Sequence, residues 1–266
     1  MPRTLALITG ASSGIGAAYA RLLAADCDFV LVARRADRLS ELADELRAAG
    51  AAVEVLPADL GNHDGLTTVT KRLAVGDVRL LISNAGDGGY APLADVAPEE
   101  IDRLLTLNGV ASIQLARAAL PGMLTAGEGT IVTVASLLAF SAGQSNPHMP
   151  PRTIYAAAKA ATVAFTRTLT QELADTPIRT QVVCPGVVAT EFAGGYGHLP
   201  FAMTADGVAR ASLAGLRLGE TICVPGLEDQ TAALDAFLAA EASLLAGGNV
   251  PTPATRYSQP HPQPTR

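Results

Sequence analysis

Apolar segments of strand length alternate with segments of helical periodicity along almost the whole chain. The strand-like segments span residues 5–9, 29–33, 52–57, 80–83, 129–135, 179–184 and 221–224. This alternation is typical of a parallel sheet whose two faces are both covered by helices. The pattern therefore predicts an α/β fold built on one doubly wound parallel sheet of about seven strands.

Two of the helical segments are well defined by their apolar positions. The first spans residues 37–49 and should end at Gly50. The second spans residues 154–173, and its apolar face consists of Ile154, Ala158, Ala161, Phe165, Leu169 and Leu173. A second face of small residues would allow close packing on the sheet, the commoner arrangement, or on another subunit. That face consists of Ala157, Ala160 and Ala164.

Two proline-rich segments interrupt the alternation. Residues 141–152 contain three prolines, which disfavour a helix and indicate a loop. Residues 250–266 contain five prolines and few apolar side chains, so we expect a disordered tail. The rest of the chain, residues 1–249, is predicted to form a single domain, since one doubly wound domain commonly has this length.

Charge and composition exclude several classes of function. The net charge is −6 at pH 7 and the basic residues are scattered, which disfavours nucleic acid and membrane surfaces as partners. The histidines are isolated, so no metal site is predicted. No apolar run is long enough to span a membrane. Three widely spaced cysteines indicate buried free thiols in a cytoplasmic protein; they are Cys27, Cys184 and Cys223.

A glycine-rich turn, T-G-A-S-S-G-I-G at residues 9–16, follows the first predicted strand and precedes a helix. The first backbone N–H groups of such a helix point at one spot, where the helix dipole favours an anion. The glycines allow a tight turn and a close approach to a diphosphate, so a dinucleotide is the expected ligand. The predicted contacts in this turn are Gly10, Ser12, Ser13, Gly14, Ile15 and Gly16.

Two arginines, Arg34 and Arg35, follow the second predicted strand, where NAD-binding folds usually carry an acidic residue. A guanidinium group suits a 2′-phosphate, to which Ser13 could add a hydroxyl. The pair favours NADP(H) over NAD(H), although two solvated arginines at the end of a strand would look the same.

Tyr155 and Lys159 lie four residues apart and therefore share one helical face. A free phenol has a pKa near ~10 and is a poor catalyst at neutral pH. A cation about 4 Å away would favour the phenolate by up to ~4 kcal/mol at an effective dielectric constant of 20. The pair is common by chance in helices, but here Asn108 and Ser136 precede it.

These motifs together resemble the classical short-chain dehydrogenase/reductase family. The resemblance covers residues 5 to about 190 and includes the turn T-G-x-x-x-G-x-G, the motif N-A-G at Asn84, Ala85 and Gly86, and Y-x-x-x-K. It implies a Rossmann-type sheet, a nicotinamide cofactor and a homodimer or homotetramer. The interval from Ser136 to Tyr155 is longer than usual in the family, because of residues 141–152.

The resemblance also implies a role for each matching residue. Tyr155 would exchange a proton with the substrate oxygen and also contact the cofactor. Lys159 would lower the pKa of Tyr155 and hold the nicotinamide ribose, and Ser136 would bind the substrate oxygen. Asn108 would hold a water molecule that links Lys159 to solvent. The implied cofactor contacts are Asp59 and Leu60 at the adenine, Asn84, Ala85 and Gly86 beneath the cofactor, and Val188 and Thr190 at the carboxamide. From the sequence alone, Asp59 could equally cap the following helix.

Two loops would border the substrate. The 141–152 loop could lie over the pocket mouth with His148 and Met149 near the substrate, or lie purely at the surface. Residues 191–201 contain several glycines, which indicate a mobile lid. The aromatic side chains of that segment, Phe192, Tyr196, His198 and Phe201, with Leu199, suggest an apolar or ring-bearing substrate.

The sequence thus predicts an NADP(H)-dependent oxidoreductase acting on a carbonyl compound or a secondary alcohol. Two alternatives stay open: an epimerase or dehydratase working through a keto intermediate, and a nucleotide-binding sensor without turnover. The chain length and glycine spacing count against the first. The complete set of Asn108, Ser136, Tyr155 and Lys159 counts against the second.

Overall fold

The computed structural model describes residues 3–146, 149–195 and 199–257. By its internal contacts the chain divides into two units, Met1–Gly226 and Leu227–Arg266. This division falls before the predicted boundary at residue 249, and the predicted boundary itself stays a prediction. Within the described residues, no helix is both long and apolar enough to cross a membrane.

The first unit is built on a seven-stranded parallel sheet, as the sequence predicts. Its strands are β1 (Thr4–Thr9), β2 (Cys27–Ala33), β3 (Val53–Pro57), β4 (Leu80–Ser83), β5 (Gly129–Val134), β6 (Ile178–Val183) and β9 (Ile222–Cys223), and each overlaps a predicted segment. The strand order is β3-β2-β1-β4-β5-β6-β9. This order reverses direction between β1 and β4, and ligands of doubly wound sheets bind at such a reversal.

Seven helices of the first unit connect the strands among the described residues. They are α1 (Gly14–Leu22), α2 (Ala36–Ala48), α3 (His63–Leu73), α4 (Pro98–Leu105), α5 (Ala111–Ala126), α6 (Thr153–Glu172) and α7 (Ala205–Leu218). Helix α2 ends before Gly50 as predicted, and Gly50 has a φ of +90°, a conformation that favours glycine.

The sheet separates two hydrophobic layers. In β1, Ile8 packs into the layer formed with α1, α2 and α7, whereas its neighbour Leu7 packs into the layer formed with α3, α5 and α6. Successive strand residues point to opposite faces, so both faces need apolar side chains. This requirement explains the nearly continuous apolar strands of the sequence.

Helix α6 buries most of its predicted apolar face, but its face of small residues does not pack on the sheet. Ala157 and Ala164 are exposed and Ala160 is partly exposed, so these residues do not pack on the sheet; Ala161, predicted on the apolar stripe, is also exposed. Thr162 and Thr166 are buried instead, with hydroxyls that bond to carbonyls one turn back in the helix. Satisfied threonine hydroxyls can occupy a buried face, which an apolar pattern does not reveal.

Two further elements lack a signal in the sequence. The two-residue strands β7 (Val188–Ala189) and β8 (Met203–Thr204) pair in parallel and join the two ends of the segment 190–202. A π-helical turn at Thr106–Val110 connects α4 to α5.

The second unit contains helix α8 (Gln230–Gly248) and a 3₁₀ turn at Thr255–Tyr257. None of the α8 residues is buried. Residues 258–266 of the predicted disordered tail lie outside the described residues.

Candidate active site

The glycine turn lies at the end of β1, where the strand order reverses. Gly10 has a φ of +67°, and a Cβ there would lie 2.6 Å from Nδ2 of Asn84. A Cβ at Gly14 would lie 3.0 Å from Cγ2 of Thr190. The turn therefore packs against the end of β4 on one side and the segment after β7 on the other, and side chains at these positions would fill that space.

A groove runs between the glycine turn and the segment after β7. It is lined by Ser13, Gly14, Ala18, Arg21, Ala189, Thr190, Glu191, Ala205 and Asp206. Ser13 is the N-cap residue of α1, but its hydroxyl accepts from Arg35 rather than capping its own helix. The groove thus lies at a helix N-terminus, which suits a phosphate group.

The predicted N-A-G motif links the end of β4 to the end of β1 by hydrogen bonds. Asn84 donates from Nδ2 to the Thr9 carbonyl at 3.0 Å, and its own backbone N–H donates to Thr9 Oγ1 at 2.9 Å. Gly86 is exposed, and a Cβ there would lie 2.9 Å from Oδ1 of Asn108 and 3.5 Å from Nζ of Lys159. The motif thus brings the glycine turn and the predicted catalytic residues to one edge of the sheet.

Arg35 lies beside the glycine turn, and its role toward a 2′-phosphate stays a prediction. Its guanidinium donates to Ser13 Oγ at 2.7 Å and to Ser12 Oγ at 3.0 Å, and forms an ion pair with Glu191 at 2.8 Å. Arg38 joins this cluster through a 2.7 Å ion pair with the same carboxylate. The sequence analysis missed Arg38, although its position one turn into α2 was a usable signal. Arg34 is exposed.

The two arginines control the ionisation of Glu191. Hydrogen bonds from Arg38 and then Arg35 lower the pKa of its carboxyl group to about 2. The carboxylate is therefore charged at neutral pH and occupies the guanidinium groups, as a phosphate could. Sequence reasoning also missed this residue as part of the anion-binding cluster, because it lies 156 positions from Arg35.

The predicted adenine contacts follow β3. Leu60 is buried, and Asp59 Oδ1 accepts from the N–H of Gly61 at 2.9 Å. The alternative role of Asp59 as a helix cap is wrong, since the side chain of Asn62 caps α3 by accepting from the N–H of Gly65. Asp59 instead stabilises the turn that leads into the helix.

Asn108 lies within the π-helical turn between α4 and α5 and is 1% exposed. Its side chain forms two hydrogen bonds with the backbone of Asp87, accepting from N–H at 3.1 Å and donating to the carbonyl at 2.9 Å. It also donates to the Leu104 carbonyl at 3.1 Å. The amide thereby fixes the segment after N-A-G against the helix, and π-helical turns of this kind often lie at functional sites.

Tyr155, Ser136 and Lys159 come together below this segment. Ser136 follows β5, Tyr155 and Lys159 lie on α6, and all three are less than 10% exposed. The hydroxyl of Ser136 lies near enough to that of Tyr155 to lower the pKa of the phenol. Nζ of Lys159 lies 5.7 Å from the centroid of the Tyr155 ring and donates to the Val134 carbonyl at 2.9 Å.

The expectation that Lys159 brings the pKa of Tyr155 down is wrong for this structure. Burial raises the pKa of Tyr155 to about 12, and hydrogen bonds with Ser136 and Tyr90 oppose that rise. Burial also lowers the pKa of Lys159 to about 8, with Cys184 acting in the opposite direction. Both shifts follow from the cost of placing a charge in a poorly solvated site.

Tyr90 was not predicted as a site residue, although its hydroxyl lies near enough to that of Tyr155 to lower the pKa of the phenol. Its ring meets Tyr155 edge-on, with centroids 5.4 Å apart. Phe192 lies 5.9 Å from Tyr155 and 6.5 Å from Tyr90. The aromatic cluster of Tyr90, Tyr155 and Phe192 thus borders the hydroxyl of Tyr155, and Phe192 fulfils the expectation that the 191–201 segment lies at the site.

The other predicted substrate contacts are only partly described. Tyr196, His198 and His148 lie outside the described residues. Phe201 is 69% exposed. The described part of the 141–152 loop is held by Arg152, which donates to the carbonyls of Ser141 and Gln144 at 3.1 and 3.0 Å. A position of Met149 near the substrate stays a prediction.

Thr190 and Val188 lie in the segment that borders the glycine turn, and their role at the carboxamide stays a prediction. Val188 is part of the short pairing with Met203, and Thr190 Oγ1 accepts from the N–H of Phe192 at 3.3 Å. Thr190 also borders Gly14, so one segment contacts the glycine turn and carries the aromatic Phe192.

Among the described residues, no three His, Cys, Asp or Glu side chains are grouped to hold a metal ion. The three cysteines are buried and free, as expected.

Comparisons with known proteins agree with this geometry. Residues 4–198 match the short chain dehydrogenase family. An uncharacterized oxidoreductase of Staphylococcus aureus strain N315 is 33% identical over 195 residues, which cover 72% of this chain and 81% of the relative.

Two solved structures resemble the whole fold. A short-chain dehydrogenase from Sphingobium yanoikuyae in complex with NADPH has a TM-score of 0.88 at 36% identity and covers 96% of this chain and 100% of its own. A bulky-bulky ketone specific alcohol dehydrogenase from Comamonas testosteroni has a TM-score of 0.87 at 31% identity, with 96% and 99% covered. The resemblance found in the sequence is therefore confirmed, and this chain belongs to the classical short-chain dehydrogenase/reductase family of oxidoreductases.

Proposed function

We propose that this protein is an NADP(H)-dependent oxidoreductase that interconverts a carbonyl compound and a secondary alcohol. The observation that carries the proposal is the buried contact between Tyr155 and Ser136, with Lys159 beside the tyrosine ring, next to the groove at the glycine turn. A hydroxyl that can give up a proton and a second hydroxyl that can bind the same oxygen are what carbonyl reduction needs.

The glycine turn and the ends of the neighbouring strands carry residues that suit a nicotinamide dinucleotide. Ser12, Ser13 and the glycines would hold the phosphates, while Asp59 and Leu60 would contact the adenine. Asn84, Ala85 and Gly86 would lie beneath the cofactor, with Val188 and Thr190 at the carboxamide. The lack of a side chain at Gly14 and Gly86 supports this fit, because a Cβ at Gly14 would enter the space beside Thr190 and a Cβ at Gly86 the space beside Lys159.

When bound, the nicotinamide would supply a hydride to the substrate carbon or accept one from it. Tyr155 would give its hydroxyl proton to the substrate oxygen during reduction and take a proton back during oxidation. Ser136 would donate a hydrogen bond to the same oxygen. Lys159 would hold ribose hydroxyls and supply positive charge near the phenolate, while Asn108 would fix the backbone that borders them.

The preference for NADP(H) is supported by Arg35, Arg38 and Ser13. The two guanidinium groups already share one anionic group, the Glu191 carboxylate, and a 2′-phosphate presents the same acceptor geometry. Glu191 would therefore compete with the 2′-phosphate for both arginines. The Sphingobium relative was solved with NADPH, which agrees with this preference.

The substrate is proposed to be a bulky, largely apolar ketone or the corresponding alcohol. Tyr90 and Phe192 provide two aromatic faces beside the Tyr155 hydroxyl, and Leu137, directly after Ser136, is 43% exposed. Exposed apolar side chains around a few polar groups are typical of sites for apolar ligands. The specificity named for the Comamonas relative, bulky-bulky ketones, supports the same substrate class.

A homodimer or homotetramer and a cytoplasmic location stay predictions. The exposed small residues Ala157 and Ala164 on α6, with Val110 and Ile113 exposed at the start of α5, support pairing between subunits.

The first test is a parallel titration of NADPH and NADH, followed by cofactor fluorescence. We expect NADPH to bind more tightly than NADH, and Arg35→Asp to weaken NADPH binding about tenfold or more while NADH changes little. Arg47→Asp, at the other end of α2, serves as the matched control because it also loses an exposed guanidinium.

Three outcomes separate the hypotheses. Binding followed by turnover of bulky ketones, with Tyr155→Phe as the inactive reference, supports the proposal. Tight binding without turnover of any carbonyl compound favours the sensor alternative. If neither nucleotide binds, the glycine turn is structural and the proposed function is wrong.

A further inference from the structure

Tyr90 lies in a segment whose backbone is fixed on both sides. Before it, Asp87 forms two backbone hydrogen bonds with the Asn108 side chain and an ion pair of 2.8 Å with Arg103. Gly89, directly before Tyr90, has a φ of +54°, and a Cβ there would clash with the side chain of Leu104. The backbone therefore packs directly on α4, and the position of the Tyr90 ring is set by these contacts rather than by chance.

The aromatic cluster then orients the Tyr90 side chain toward the proposed reacting atom. The planes of Tyr90 and Tyr155 meet at 75°, and those of Tyr90 and Phe192 at 73°. Edge-to-face contacts of this kind favour one relative arrangement of the rings. In this arrangement the hydroxyl of Tyr90 lies near enough to that of Tyr155 to lower the pKa of the Tyr155 phenol.

We propose that Tyr90 is a further catalytic residue, whose hydroxyl donates a hydrogen bond to Oη of Tyr155 and stabilises the phenolate formed there. The inference rests on the proposed carbonyl reduction. In that step the O–H bond of Tyr155 breaks, and its proton forms a new O–H bond on the substrate oxygen. The electron pair stays on Tyr155 Oη, while the substrate carbon gains a hydride. Tyr90 keeps its own proton throughout.

The surroundings of Tyr155 show why a neutral donor matters. Lys159 is buried in the same helix, and its Nζ already donates to the Val134 carbonyl. Cys184 lies close enough to affect Lys159, and Glu191, next to Phe192, is paired with Arg35 and Arg38. Asp87 is paired with Arg103. Tyr90 and Ser136 both act on the hydroxyl of Tyr155. Because Ser136 is needed to bind the substrate oxygen, Tyr90 is the group left to stabilise the phenolate.

The test compares Tyr90→Phe with wild type in both reaction directions, using a bulky ketone and its alcohol. The substitution keeps the ring contacts and removes only the donor. We expect kcat to fall about tenfold with little change in KM. Alcohol oxidation needs the Tyr155 phenolate, so its pH profile should move to higher pH by about one unit.

Two other variants separate the hydroxyl from the ring. Phe192→Leu disturbs the cluster but keeps the donor, so it should raise KM for bulky substrates without moving the pH profile. Tyr257→Phe removes a phenol that is 70% exposed in the second unit and should change neither quantity. If Tyr90→Phe fails to fold, Tyr90→His retains an N–H donor and should keep the profile of the wild type.

A measurement without turnover completes the test. The chain has five tyrosines and no tryptophan, so ¹³Cζ-tyrosine labelling gives a simple NMR spectrum in which Tyr155 is assigned with Tyr155→Phe. Loss of the Tyr90 donor should shift the Tyr155 signal, whereas Tyr257→Phe should not. An active wild type whose pH profile and Tyr155 signal are both indifferent to Tyr90→Phe overturns the role of Tyr90 alone. A wild type without any turnover overturns the proposed function, and the catalytic role of Tyr90 with it.

Discussion

The candidate site has a buried end at Tyr155 and Lys159 and an exposed end at Arg35, Arg38 and Glu191, and the two ends hold their charged groups in different ways. Tyr155 and Lys159 are 5% and 4% exposed, whereas the side chains of Arg35, Arg38 and Glu191 are 41%, 40% and 57% exposed. At the buried end, loss of solvation raises the pKa of Tyr155 and lowers that of Lys159, so the neutral form of each group is favoured. At the exposed end, the pKa of Glu191 is set by its two arginine partners.

This difference predicts how each end responds to change. Interactions in a buried site are hardly screened by salt, so losing one group there should have a large effect on turnover. Ion pairs in a solvated groove are weakened by water and salt, so single changes there should alter affinity modestly. The catalytic end should therefore control turnover, and the arginine end should control which nucleotide binds.

The largest effect is expected for Tyr155→Phe. Removing the proton donor should lower kcat roughly a hundredfold to ten-thousandfold, because general acid catalysis contributes about that much. The affinity for NADPH should stay within about twofold of wild type, since the groove at the glycine turn is untouched. Steady-state kinetics and fluorescence titration measure the two quantities.

Tyr257→Phe is the control for removal of a phenol elsewhere, and it should leave kcat unchanged. A Tyr155→Phe enzyme that keeps a tenth or more of its kcat would contradict the assignment of the proton donor.

The second prediction concerns stability and pH at Lys159. Its pKa is lowered by burial to about 8, below the value of ~10.4 expected in an unfolded chain. Below pH 8 the folded protein holds a buried ammonium group, and the full free-energy penalty of burying that charge lowers the stability of the fold. Between those two pH values the unfolded state binds more protons than the folded state, so this penalty declines as pH rises.

The comparison uses Lys159→Met, which removes the titrating group and the hydrogen bond to Val134. The free energy of unfolding of wild type, minus that of the variant, should increase as pH rises from about 8 to 10. Denaturant titrations at several pH values measure this difference. Lys71→Met, at an exposed position of α3, should show no such trend. A flat difference for Lys159→Met would indicate that the lysine is better solvated than the structure shows.

The elements of the fold were predictable because their signals are local. Each strand of the main sheet is an apolar run next to a turn, and Gly50 and the glycine turn end or begin elements through their own backbone conformation. The pairing of β7 with β8 has no such signal, since two residues cannot show a period. The buried threonines of α6 were missed because their burial depends on hydrogen bonds with carbonyls, not on apolarity.

The candidate site was predictable to the extent that motifs mark it. Ser136, Tyr155 and Lys159 meet as expected, because the ends of parallel strands and the adjoining helix fix them. Tyr90 and Glu191 were not assigned to their clusters, because they lie in segments without regular structure whose paths depend on tertiary contacts. The direction of the pKa shift of Tyr155 was also wrong, since a sequence shows the spacing of Lys159 but not the burial of the phenol.

The smallest effect is expected for Glu191→Gln, which tests the exposed end of the comparison. The substitution removes the carboxylate that pairs with Arg35 and Arg38, and leaves both arginines available to a 2′-phosphate. We expect NADPH to bind a few-fold more tightly at low ionic strength and NADH to be unaffected. The gain should fade as salt is added, because the groups concerned are well solvated.

Asp44→Asn is the matched control, since Asp44 also forms an exposed ion pair with an arginine, Arg47, at 3.0 Å, and neither residue lines the groove. It should change the affinity for neither nucleotide. Because Glu191 is already ionised above a pH of about 2, any change with pH in the difference between Glu191→Gln and wild type near neutrality should follow the 2′-phosphate, whose second pKa is about 6, and not Glu191. A gain for NADH equal to that for NADPH would show instead that Glu191 obstructs the groove as a whole, and that Arg35 and Arg38 do not distinguish the two nucleotides through it.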